Sequence, residues 1–230
     1  MTSRSLYELR AGVEEVRSLR KHVPSPSRAR PHQQALTAHI ALQRACTVLL
    51  CSHLERYIYS LNEEATDWLN SSSVPAARLP EPLLLIQSKS SLEEIAQQDW
   101  IHRAGKLRAF SSRQTQFWQE GATVDSLVAA ETIAWMKAPK TPDLIRLFGY
   151  YGIDDIFQRI TRKDRTFREL KRDIQELVDS RNGIAHGDAT VQPGHLEVTR
   201  YLGAVQRFCE RTDKKLSTAL AEICSSCRPW

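Results

Sequence analysis

Arg181, Asn182 and His186, in the stretch LVDSRNGIAHGD at 177–188, are the residue types that a protein needs to move a proton beside a phosphate. Upstream, Phe167, Leu170, Ile174, Leu177, Arg181 and Ile184 recur at steps of three and four, the signature of one helix face. Arg181 takes a slot that this pattern reserves for an apolar side chain. An unpaired guanidinium on a packing face costs several kcal/mol, so Arg181 must meet an acid, an anion or a partner surface.

Arg181 and His186 are about 140° apart on a regular helix, whereas Asn182 and His186, four residues apart, share a face. The three converge only if the helix tightens or ends at His186, and Gly187 is the residue type expected just past a helix C-terminus. There the helix dipole favours the imidazolium and the nearby guanidinium opposes it, which suits an acid or a base. One chemistry that uses histidine, arginine and an amide is cleavage of RNA by its own 2′-hydroxyl. A base takes that proton, an acid protonates the leaving 5′-oxygen, and a cation steadies the phosphorane. One histidine cannot easily do both tasks at once, so a homodimer pairing two copies of this helix end is expected.

The run TRKDRTFRELKR adds Arg162, Lys163, Arg165, Arg168, Lys171 and Arg172 against Asp164 and Glu169. Alone it reads as a solvated helix face. Its place on the motif helix makes it a candidate RNA-binding track. Glu55 and His53 are candidates to face the motif from an earlier helix, in supporting rather than catalytic roles. The remaining histidines are scattered without paired carboxylates, so no metal site is expected. Glycine-rich phosphate loops are missing too, which leaves nucleotide transfer with little support and no cofactor expected. Trp68, Trp100, Trp118 and Trp135 read as packing residues, and Trp230 as docking on a partner or free.

These residues must be positioned by helices. The 230-residue chain is 41% hydrophobic, enough for a core, and carries 32 basic against 27 acidic residues, a net +5 with pI near 9.0. It has no apolar run long enough to cross a bilayer and its first residues lack a signal-peptide core, so no membrane association and a cytoplasmic location are expected. Five cysteines do not make a disulfide framework, and CSSC at 224–227 is half a metal or redox motif with nothing to complete it.

Proline-rich breaks at 23–31, 71–82 and 138–142 divide helical text. The spacing predicts a single all-α antiparallel bundle over 1–230. A first helix, 1–22, bears a narrow stripe of Leu6, Leu9, Val13, Val16 and Leu19 that packs loosely or reaches a neighbour. Core helices follow at 31–70 and within 163–222, the motif helix running from Lys163 to His186. A helical insertion fills 83–160, with a capping-box start at Ser91 and Glu94 and a helical VDSLVAAETIAWM. No segment alternates like a strand.

RNGIAH at 181–186, with ACTVLLCSHLERYI at 45–58 and ELVDSRNGIAHG at 176–187, resembles the HEPN superfamily, and more narrowly its RiboL-PSP-HEPN or MAE-type branch. The resemblance covers both ends of the bundle and is weak between about 71 and 140. It implies a metal-independent endoribonuclease working as a dimer, with Arg181 and His186 catalytic and Asn182 positioning or polarising. It also implies a toxin or antiphage setting, with an antitoxin or other regulatory protein as partner. The alternative is a non-catalytic interaction domain in such a complex, Arg181 then forming a structural ion pair.

Overall fold

The computed structural model describes residues 1–23, 33–119 and 121–230. Helix α1 (Arg4–Lys21) is followed by α2 (Gln33–Ser71), whose 39 residues span about 60 Å. The motif lies on α8 (Asp164–Ala185), and the last helix is α9 (His195–Cys224). Of these four, α2 and α9 pack on each other and each packs on both α1 and α8. Between them come α3 (Glu81–Gln97), α4 (Arg103–Trp118) and the short α5 (Ala129–Ile133), α6 (Thr141–Gly149) and α7 (Ile156–Arg159). The expected all-α bundle is what forms.

The stripe of α1 is tighter than its sequence suggests, since Leu6, Leu9, Val13 and Val16 are all buried. Their helix is fixed at its start by carboxylates from two other helices. Glu64 accepts from the amides of Arg4 (3.1 Å) and Ser5 (2.7 Å), and Asp213 accepts from the Ser3 amide and hydroxyl, while Ser3 itself accepts from the Leu6 amide (3.0 Å). Early amides that lack helical partners thus meet negative charge, the arrangement that the helix dipole favours. Trp230 corrects its sequence reading. It is packed against the chain's own α9, its indole N–H donating to the Asp213 carbonyl (3.2 Å).

Three further readings of the middle segment are corrected. Ser91 and Glu94 do not start a helix: α3 begins ten residues earlier, with Pro82 in its first turn and Leu83, Leu84 and Ile86 buried. VDSLVAAETIAWM is helical only at α5. Asn70 and Gln87 each form two hydrogen bonds with the backbone, at Leu127 and Val128 respectively, all of 2.8–2.9 Å, and hold those two residues out of a helix. A two-residue antiparallel ladder, β1 (Val74–Pro75) with β2 (Thr123–Val124), closes the base of this segment although no strand pattern announces it. Among the tryptophans, Trp68 and Trp135 pack on the core, but Trp118 is half exposed and Trp100 is 80% exposed under the Arg103 guanidinium.

Among the described residues, no helix is long and apolar enough to cross a membrane.

Candidate functional site

Helix α8 buries Leu170, Ile174, Leu177 and Val178 against α2 and α9, and the same face carries Arg181 into contact with α2. The anion demanded by that slot is Glu55. Arg181 Nη2 lies 2.8 Å from Glu55 Oε2, with side chains 26% and 21% exposed. Arg181 Nη1 donates to Asn182 Oδ1 at 3.0 Å. Burial pushes the Glu55 carboxyl above its ordinary range, and the adjacent guanidinium pulls it partly back. The buried Cys51 thiol, one turn away on α2, is pushed up to about 12 by burial and the Glu55 charge. A guanidinium has five N–H groups. Two of Arg181's serve Glu55 and Asn182, which leaves three for a ligand.

The helix ends where the sequence places its end. His186 is the C-cap residue, followed by Gly187 at φ +79°. The Gly187 amide donates to the Ile184 carbonyl (3.1 Å) and the Asp188 amide to the Gly183 carbonyl (2.9 Å), the paired bonds of a Schellman turn. His186 is exposed, and no described residue hydrogen-bonds or ion-pairs with its imidazole. The chain then folds back so that Val191 covers Gly183, where a Cβ would stand 2.8 Å from Val191 Cγ2. Gly187→Ala forces a side chain into left-handed backbone, so urea melts should show a loss of about 1 kcal/mol. The His186 turn should loosen with it, seen as faster exchange of the Asp188 amide.

Of the site residues read from sequence, Arg181 and Asn182 are in direct contact, and His186 follows one turn later with its imidazole free. The basic run stands apart. Arg165 and Arg168 precede Arg181 by 16 and 13 residues, about 20–25 Å along the helix. Arg165 pairs with Glu169 (2.8 Å), Arg172 with Asp173 (2.9 Å) and Glu176 (3.6 Å), and Lys171 lies over the Phe167 ring. Arg162, Lys163 and Arg168 are exposed. His53 faces away from the motif, pairing with Glu15 (3.1 Å) against Gly12 of α1.

Sequence reasoning missed Asp173, 3% exposed on α8, which accepts from Arg172 and from Arg200 of α9 (3.2 Å) and so ties the motif helix to the last helix. Its place between apolar Leu170 and Leu177 was the available signal. A family model described as RiboL-PSP-HEPN matches residues 8–218 of the chain, which takes in most of α1, the whole motif and most of α9. No curated protein and no solved structure matches it.

Proposed function

Because the chain belongs to the RiboL-PSP-HEPN family, a HEPN-type family, we propose that it is a metal-independent endoribonuclease acting at a site shared by two copies of the α8 C-terminus. The observation that carries this reading is the pairing of a fixed guanidinium with a free imidazole on one helix end. Arg181 is held by Glu55 and Asn182 with N–H groups to spare, and His186 is exposed with no partner among the described residues.

In this mechanism one His186 takes the proton from the ribose 2′-hydroxyl. The 2′-oxygen attacks the adjacent phosphorus, Arg181 stabilises the charge on the phosphorane, and the second His186 gives its proton to the departing 5′-oxygen. The products are a 2′,3′-cyclic phosphate and a 5′-hydroxyl. Asn182 supports Arg181 through their 3.0 Å contact. Glu55 already satisfies Arg181 within the chain, so the case for a dimer rests on the need for two proton carriers and not on an orphan arginine. A toxin or antiphage role, held in check by a regulatory protein, goes with this activity.

The Arg181–Glu55 pair also favours a second reading, a non-catalytic HEPN interaction domain in which that pair is structural. Subunit mixing separates the two. Wild-type protein doped with His186→Ala should lose RNA cleavage as the square of the wild-type fraction, because mixed pairs lack one proton carrier. A linear fall would contradict a shared site, and no cleavage at any ratio would favour the interaction domain.

A further inference from the structure

Between Val16 and Leu54 the chain has no aspartate or glutamate. This acid-free stretch includes the end of α1 and the first half of α2, and both meet the site end of the bundle. Arg44 of α2 donates from Nη1 to the carbonyls of Asp188 and Val191, both at 2.9 Å, two and five residues beyond His186. Arg20 of α1 reaches the start of α9, where its Nη2 contacts the His195 ring (3.0 and 3.2 Å), the His195 carbonyl (3.2 Å) and the Thr199 hydroxyl (2.6 Å). All of these acceptors are uncharged. Among the described residues, Arg20 Nε is buried without a partner and exposed Lys21 pairs with none.

The electropositive character of this face is felt by His195. Burial, Arg20 and His39 together hold its imidazole below the ordinary histidine range. The contrast with the α8 run is one of charge balance and place. Arg165 and Arg172 are matched by Glu169, Asp173 and Glu176 and lie far from His186. Arg44 touches the turn that follows His186 and Arg20 the start of α9 just beyond it, and among the described residues neither Arg20 nor its neighbour Lys21 is ion-paired with a carboxylate. We propose that this face, Arg20 and Lys21 with Arg44 at its edge, binds the phosphodiester backbone of the RNA strand as it leaves the His186 site.

This inference rests on the ribonuclease reading and adds where the strand runs. A fluorescein-labelled mixed-sequence single-stranded RNA of about 20 nucleotides, titrated by anisotropy onto His186→Ala protein, tests it without cleavage. Adding Arg20→Gln and Lys21→Gln should weaken binding about tenfold and lower the slope of log affinity against log salt by about 1 to 2. Adding Arg165→Gln and Arg168→Gln instead should leave affinity within about twofold. Lys21→Glu, at an exposed position that the fold does not use, should weaken binding on its own and so guards against misfolding of the double variant. Equal affinity in the Arg20, Lys21 and parent proteins, with the wild type still cutting RNA, overturns this strand path alone. A parent that neither binds nor, as wild type, cuts RNA overturns the path together with the reading beneath it.

Discussion

Arg181→Ala should lower both stability and the proposed RNA cleavage, and the stability loss should grow with pH. Removing the guanidinium leaves Glu55 half-buried on α2 with its partner gone, and breaking such a pair costs more than making it gains. For side chains about a quarter exposed, a loss of about 2 kcal/mol at neutral pH is expected, less than for a fully buried pair. The pH dependence follows from the Glu55 carboxyl, already above its ordinary range in the fold through burial. With the attraction of Arg181 removed, its folded-state value rises further. Below the ordinary carboxylate range Glu55 is neutral, folded or unfolded, and the substitution costs little. As pH rises, the unfolded chain ionises first and the loss grows until Glu55 ionises in the fold as well. Urea melts of wild type and variant should therefore diverge as pH rises above the ordinary carboxylate range, about pH 4. Glu55→Gln in the same background should remove most of that divergence. Cleavage should not return with it, because the phosphorane still lacks its cation, a loss of about 10²–10³-fold.

His186→Ala separates the two properties. The imidazole is exposed and makes no hydrogen bond with any described residue, so its loss should leave the unfolding free energy within about 0.5 kcal/mol of wild type. Cleavage should fall by about 10²–10⁴-fold, the usual contribution of a general acid or base, and further where both proton transfers depend on this residue. A variant that unfolds readily but still cuts RNA would assign His186 to the fold and not to the chemistry.

Much of this site was legible along one helix. The alternation of threes and fours on α8 places Leu170, Ile174 and Leu177 in the core and puts Arg181 at the edge of the same face, and Gly187 marks the turn that ends it. Local spacing carries that information because helix periodicity and capping are themselves local. Glu55 is 126 residues from Arg181. It could be suspected from the inner side of α2, but the contact depends on how two helices cross. Asp173 was hidden for a related reason, since a buried carboxylate looks like a break in an apolar stripe until Arg200 arrives from α9.

Elsewhere local rules were outvoted. Ser91 and Glu94 have the letters of a helix start, but the apolar residues that α3 buries lie before them, and a helix beginning at Glu81 is already under way. Asn70 and Gln87 decide the backbone of residues 127 and 128 from other helices. The acid-free stretch from 16 to 54 was in plain view, but its relevance to the site appears only when Arg20 and Arg44 are seen to meet α9 and the His186 turn.

Metal-free RNA cleavage by Arg181 and His186 is the proposal on which the rest depends. It is tested most directly by incubating wild-type and His186→Ala protein with a mixed RNA pool in excess chelator and mapping the fragment ends. Fragments should come from the wild type alone and bear 2′,3′-cyclic phosphates and 5′-hydroxyls. Cleavage that the chelator stops, or that the variant performs equally well, would contradict it.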